Sequence, residues 1–93
     1  MSITVRIPTI LRSYADGAAE LSVTPATDTL SGVLAALDAQ APGIGARILD
    51  DQGRLRRFVN VYVNDEDARF LDGLQTPTPA GTSVSVIPAV AGG

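Results

Sequence analysis

The sequence lacks several residue types on which most enzymes and metal sites depend. Its 93 residues include no cysteine and no histidine, and all seven positive charges are arginines, so lysine is absent too. Without cysteine the chain has no disulfide, thiolate nucleophile or zinc–thiolate site. Without histidine it lacks the usual general base and the commonest metal ligand. The absence of lysine excludes Schiff-base chemistry on this chain. These absences disfavour an autonomous enzyme and a resident metal.

Charge and hydropathy narrow the class of protein further. The net charge of −3 argues against a nucleic-acid partner, because such proteins normally present a basic face. No apolar run is long enough to span a bilayer. The N-terminus alternates like a strand from Ile3 onward and has no basic segment followed by an apolar stretch, so we expect no secretory signal. The sequence therefore predicts a cytoplasmic protein without nucleic-acid or membrane partners.

The first half of the chain predicts a hairpin followed by a helix. Residues 3–7 and 20–24 alternate between apolar and polar side chains, which is typical of strands. Thr27 or Asp28 is the expected N-cap of the helix that follows. Apolar residues then recur at helical spacing at Leu30, Val33, Leu34 and Leu37. Pro42 and Gly43 are expected to end this helix, and residues 44–49 to add one further turn.

The second half predicts strands and a terminal tail. Residues 58–63 form the strongest strand pattern, residues 68–71 are expected to be a short edge strand, and residues 83–88 the last strand. The order of elements, with one helix over a mixed sheet, indicates an α+β domain of the β-grasp, or ubiquitin-like, fold. We assign residues 1–88 to this domain and residues 89–93 to a flexible tail.

Three other groups of side chains are candidates for a site. Phe58, Tyr62 and Ile87 are expected on the sheet face away from the helix, where they could form a partner-docking surface or be ordinary strand residues. The acidic run at residues 65–67 is typical of a solvated loop, and nothing near it in sequence completes a metal site. The arginines of residues 54–57 could bind phosphate or an acidic partner, or simply be solvated.

The chain ends in two glycines after a strand-like run. Glycine has no Cβ, so Gly92 and Gly93 contribute nothing to packing, yet they make a thin backbone that can enter another protein's active site. A frayed end is the alternative explanation. Ala91 is small enough for a narrow channel. Val90 is a candidate anchor in a pocket, although it could simply continue the final strand.

Specific segments relate the whole chain to a known family. They are residues 7–12, residues 57–67 with the run Arg-Phe-Val-Asn-Val-Tyr-Val-Asn-Asp-Glu-Asp, Leu74, and residues 88–93 with the ending Pro-Ala-Val-Ala-Gly-Gly. This pattern resembles the bacterial ubiquitin-like sulfur carriers of the MoaD, ThiS and CysO family. It is most similar to the CysO branch, which serves actinobacterial cysteine biosynthesis.

The resemblance implies a carrier that is acted on by enzymes and binds no cofactor itself. An E1-like activating enzyme would use ATP and Mg²⁺ to adenylate the Gly93 carboxylate, and a sulfur donor would convert it to a thiocarboxylate. In the CysO-like case the acceptor is a pyridoxal-phosphate (PLP) enzyme of the cysteine synthase type that uses O-phosphoserine. A zinc metalloprotease would then release cysteine from Gly93.

Other functions share the same tail and stay open on the sequence. The carrier could be the small subunit of molybdopterin synthase, or it could serve thiolation of a secondary metabolite. A protein modifier would join Gly93 to lysines of other proteins. A non-covalent ubiquitin-like module would not need the Gly-Gly end at all.

Overall fold

The structure, a computed structural model, describes residues 2–57 and 59–88. Five strands and two α-helices make up the fold. In chain order they are β1 (Ile3–Arg6), β2 (Glu20–Val23), α1 (Leu30–Gln40), α2 (Gly45–Ile48), β3 (Val59–Val63), β4 (Glu66–Asp67) and β5 (Ser83–Pro88). Three short 3-10 helices, at Thr9–Ala15, Ala68–Phe70 and Gly73–Gln75, lie in the connections. No helix in these two ranges is long and apolar enough to cross a membrane.

The strands form one mixed sheet in the order β2-β1-β5-β3-β4. β1 and β2 are the predicted hairpin, antiparallel, with Ile3 opposite Val23. β5 lies parallel to β1 and antiparallel to β3, so the first and last strands of the chain are neighbours at the centre of the sheet. This topology confirms the predicted β-grasp fold.

α1 covers one face of the sheet, and the core lies between the two layers. The predicted helical face is buried, since Leu30, Val33, Leu34 and Leu37 are each at most 2% exposed. The strands contribute alternate residues from the opposite side, among them Val5, Val61 and Val84. Each side chain of this size contributes about 1.5–3 kcal/mol when it leaves water, so this layer dominates the stability of the fold.

The predicted start of α1 is wrong by one or two residues. Thr29 is the N-cap, with extended backbone angles, and its Oγ1 accepts a hydrogen bond from the Gly32 N–H at 3.4 Å. The carbonyl of an N-cap residue accepts the first hydrogen bond of its helix. The Asp28 carbonyl instead accepts a hydrogen bond from the Thr78 N–H at 2.8 Å, and the Thr29 carbonyl accepts the bond from Val33. Thr27 Oγ1 makes its side-chain bond with Thr29 Oγ1 at 3.2 Å. The predicted end of the helix before Pro42 and the further turn at α2 are confirmed.

The predicted edge strand at residues 68–71 is also wrong. Asn64 and Asp65 both have positive φ, of 50° and 70°, and form a two-residue turn, so pairing with β3 resumes at once in β4. The Asp67 carboxylate then accepts a hydrogen bond from the Arg69 N–H at 2.8 Å. This cap turns the chain into the 3-10 helix Ala68–Phe70 in place of a longer strand.

Candidate functional site

The last strand, β5, ends at Pro88, and the C-terminal segment follows it in the chain. The first half of β5 is paired on both sides, with β1 and with β3, and β3 continues to pair with it until Pro88 lies opposite Val59. A strand in this position gives a firm base to the residues that follow it. The predicted tail residues Val90, Ala91, Gly92 and Gly93 lie outside the described residues, and their role stays a prediction.

The predicted docking residues that the structure describes share one face of the sheet. Ile87 lies opposite Asn60, and Tyr62 lies opposite Ser85, on the same pair of strands. These residues alternate with the buried valines of β3 and β5, so they point away from α1. Ile87 is 46% exposed and Tyr62 is half-buried. The third predicted residue, Phe58, lies outside the described residues.

Arg69 organises the polar part of this outer face and was not singled out by the sequence. Its Nη1 donates to Asn60 Oδ1 at 2.9 Å, and its Nη2 donates to the carbonyl oxygens of Arg56 at 2.6 Å and Val59 at 2.8 Å. One guanidinium therefore ties the 3-10 helix Ala68–Phe70 to the beginning of β3. The fork of N–H donors on arginine suits this kind of multiple contact. No local pattern reveals it, because the partners are 9–13 residues away.

An exposed aromatic side chain next to Arg69 was also missed. Phe70 is 85% exposed, more than the other large apolar side chains exposed in the described ranges, which are Ile10, Leu71 and Ile87. The sequence assigned Phe70 to an edge strand, where half of its surface would be covered. In the 3-10 helix it lies in solvent instead. An exposed aromatic side chain is a common feature of a protein-binding surface.

The acidic run serves the local backbone. Asp65 occupies the left-handed position of the turn between β3 and β4, and Asp67 caps the following 3-10 helix. Within residues 2–57 and 59–88, no three acidic or metal-ligating side chains are grouped so that they could hold a metal ion.

Arginines 54, 56 and 57 line a shallow depression of about 500 Å³, together with Asp50, Leu55 and Val59. The backbone N–H of Arg54 donates to Asp50 Oδ1 at 3.0 Å and holds the pKa of that carboxyl below its ordinary value. The Gln52 N–H and the positive charges of Arg54 and Arg56 act in the same direction, while burial opposes them. Among the described residues that line this depression, Asp50 supplies the acidic side chain.

The sequence as a whole matches a known family of small proteins. The model of the ThiS family matches residues 5–93, which is nearly the whole chain and includes the terminal Gly92 and Gly93. The chain belongs to the ThiS family. The resemblance stated from the sequence is therefore confirmed.

Individual relatives agree with this membership. The sulfur carrier protein CysO of Mycobacterium tuberculosis is 50% identical over 95 residues, covering 100% of both chains. CysO of Amycolatopsis orientalis, in a crystal structure of a BexX/CysO complex, superimposes with a TM-score of 0.86 at 42% identity, over 98% of this chain and 99% of that one. Small archaeal modifier protein 3 of Haloferax volcanii is 40% identical over 65 residues, covering 70% of each.

The family match includes the terminal Gly-Gly, and the likeness of fold covers nearly the whole chain. Residues 57–67, which carry part of the resemblance, include β3, and β3 pairs with β5 as far as Pro88.

Proposed function

We propose that this protein is a sulfur carrier whose Gly93 carboxylate is converted to a thiocarboxylate. The observation that carries the proposal is the identity of 50% with sulfur carrier protein CysO over the full length of both chains. The ThiS-family match that runs through Gly93 supports the same assignment. In this function the domain is a substrate that other enzymes act upon, and it does not catalyse a reaction itself.

The chemistry requires that the carboxylate first receive a better leaving group. An E1-like adenylyltransferase would join the Gly93 carboxylate to AMP from ATP, with Mg²⁺, and release pyrophosphate. The sulfur of a donor then attacks the acyl carbon and forms a C–S bond. The bond between that carbon and the oxygen of AMP breaks, AMP leaves, and Gly93 carries a thiocarboxylate. The absence of cysteine from the chain is consistent with this scheme, because no side chain of its own can carry the sulfur.

The geometry of the domain suits this role. The five residues from Ala89 to Gly93 reach about 17 Å when extended, which is enough to enter a buried active site while the domain stays outside. Gly92 and Ala91 would pass through a narrow channel, and Val90 would contact its wall. The outer face that holds Tyr62 and Ile87 lies on the strands that support this segment. We propose this face as the docking surface for the activating and acceptor enzymes.

We further propose that the sulfur serves cysteine biosynthesis in the cytoplasm. The thiocarboxylate sulfur is a soft nucleophile, and an aminoacrylate formed from O-phosphoserine on a PLP-dependent enzyme is a matching electrophile. Attack would form a C–S bond, and transfer of the acyl group from sulfur to nitrogen would leave cysteine in an amide bond with Gly93. A zinc metalloprotease would hydrolyse that amide. The similarity to CysO favours this route over a pterin acceptor.

The experiment measures the intact mass of the protein after incubation with ATP, Mg²⁺, sulfide and the E1-like enzyme of the same organism. We expect a mass gain equal to the difference between one sulfur and one oxygen atom. A variant that lacks Gly93 is the matched control, and it should keep the fold and show no gain. An unchanged wild-type mass, with the enzyme shown to be active in ATP–pyrophosphate exchange, would contradict the proposal.

A second candidate function is attachment to other proteins. The 40% identity with small archaeal modifier protein 3 favours it. The same adenylate would then be attacked by a lysine amine of a target, which forms an isopeptide bond to Gly93. Conjugates that carry a Gly-Gly remnant on lysine after trypsin digestion of a lysate would identify this function. Their absence, together with a thiocarboxylate on the free protein, would leave the carrier function alone.

A further inference from the structure

The positive charge of the molecule is concentrated around the base of the tail. Val59, opposite Pro88 at the end of β5, lines the depression of about 500 Å³ that holds three arginines. It also lines a second depression of about 360 Å³ that includes Arg47. Arg69 donates to the Val59 carbonyl. We call this group the arginine surface, and its members are Arg47, Arg54, Arg56, Arg57 and Arg69, five of the seven arginines of the chain.

The arginines of this surface are exposed to solvent, and hydrogen bonds hold several of them in place. Arg56 Nε donates to the Ala46 carbonyl at 2.9 Å, and Arg47 Nε donates to the Tyr14 hydroxyl at 2.7 Å. Each of these bonds uses one of the five N–H donors of a guanidinium, so donors remain for an external partner. Arg54 Nε lies 3.6 Å from Asp50 Oδ2 in an ion pair, and 70% of the Arg54 side chain is exposed.

Acidic side chains lie at the opposite end of the sheet, in addition to Asp50 and Asp51 next to the arginine surface. At that end Val63 lies opposite Val84, and the turn that follows exposes Asp65 and Glu66. A depression of about 390 Å³ at the same end includes Asp28. A chain with a net charge of −3 thus places a basic surface at one end, where the C-terminal segment departs. This arrangement favours one orientation when the protein approaches a charged partner.

We propose that the arginine surface docks on an acidic surface, formed by aspartate and glutamate side chains, at the entrance of the active site that receives the tail. The proposal rests on the proposed function and identifies the chemistry of its partner. A tail that reaches about 17 Å brings its base close to the entrance whenever its end is at the reacting centre. Charges around that base therefore meet the rim of the entrance, where they raise the rate of association and select the partner.

The test compares two arginines that are alike except for their position. Arg54 belongs to the arginine surface, whereas Arg6 lies on β1 and lines a different depression, which also includes Asp65. Their side chains are 70% and 68% exposed, and each pairs with one carboxylate, Arg54 with Asp50 and Arg6 with Glu20. Arg54→Gln and Arg6→Gln therefore change the net charge equally and remove the same kind of contact.

The measurement is the affinity of the carrier for the E1-like enzyme, without ATP or sulfide, at low and at high salt. We expect Arg54→Gln to weaken binding about twofold to fivefold at low salt and less at high salt, because exposed ion pairs are weak and screened. Arg54→Lys should retain most of the affinity, and Arg6→Gln should bind like the wild type. Equal effects of the two Gln variants, or no effect of Arg54→Gln, would overturn the proposal.

A second measurement distinguishes an acidic protein from a phosphate group. Inorganic phosphate is titrated into the carrier alone while its backbone amide resonances are followed by NMR. We expect no saturable shift at residues 54–57. A saturable shift at these residues, with competition between phosphate and the enzyme, would mean that the surface binds phosphate. That result would overturn the proposal of an acidic protein partner. Because neither measurement involves sulfur transfer, a failure of thiocarboxylate formation would be recorded separately.

Discussion

The two faces of the sheet are made by the same strands and are stabilised differently. Under α1, Val5, Val61 and Val84 are fully buried and contact other apolar side chains. One residue before Val61 in β3, Asn60 lies on the outer face and accepts a hydrogen bond from Arg69. The inner face depends on packing, which tolerates few changes, while the outer face depends on a small number of polar contacts. Most of the packing thus lies on one side of the layer, and the proposed docking residues lie on the other.

The difference explains where a partner can bind without unfolding the domain. Substitutions on the outer face change which surface is presented and leave the core intact. On the inner face the same change in side-chain volume opens a cavity. Three substitutions test this division, taken in order of the expected loss of stability.

Leu37→Ala should have the largest effect. Leu37 is fully buried on the face of α1 that packs on the sheet, and its loss leaves a cavity, so we expect the free energy of unfolding to fall by about 2–5 kcal/mol. The matched change on the outer face, Ile87→Ala, should lower it by less than about 1 kcal/mol, because Ile87 is 46% exposed. Urea unfolding followed by circular dichroism measures both. Similar losses would contradict the division between the two faces.

Arg69→Met should have an intermediate effect. It keeps an unbranched apolar side chain and removes three hydrogen bonds to the beginning of β3, at a cost of about 1–2 kcal/mol. Arg69→Lys keeps the positive charge but lacks the several N–H donors of the guanidinium, so it should be more stable than Arg69→Met and less stable than the wild type. The same unfolding experiment measures both variants. If Lys restored full stability, charge alone would account for the contribution of Arg69.

Glu20→Gln should have the smallest effect. Glu20 pairs with Arg6 at 3.2 Å across β1 and β2, with both side chains more than half exposed. Such a pair contributes less than about 1 kcal/mol, and salt screens it. We expect a small decrease in thermal stability at low salt that disappears at 1 M salt. A loss that persists at 1 M salt would contradict the assignment of this contact to an exposed, screened ion pair.

Much of the fold could be predicted because its elements have strong local patterns. The helical face of α1, the valines of β3 and the last strand were all predicted correctly, since each repeats with the period of its element. The errors lie in short polar segments, where several side chains could cap a helix. Thr29 became the N-cap because Asp28 was committed to Thr78, and residues 68–70 became a 3-10 helix because Asp67 caps it. Neither contact has a periodic signal in the sequence.

The candidate site divides in the same way. The Gly-Gly end and its family resemblance could be identified from residue types, and the ThiS-family match confirms the family. The arginines of residues 54–57 were grouped from the sequence, but Arg47 and Arg69 could not be added to them, since they are 22 residues apart and neither belongs to a motif. They are brought together by the β3 and β5 ladder and by hydrogen bonds that span 10–13 residues.

The sequence by itself determined the class of fold, the burial of the helix face and the absence of cysteine, histidine and lysine chemistry. These properties follow from residue type and local period, which the chain carries in any conformation. Only the tertiary structure decided that β5 runs at the centre of the sheet, that Pro88 lies opposite Val59 and that most of the arginines surround that point. Strand pairing between distant segments sets those positions, and no local pattern specifies it.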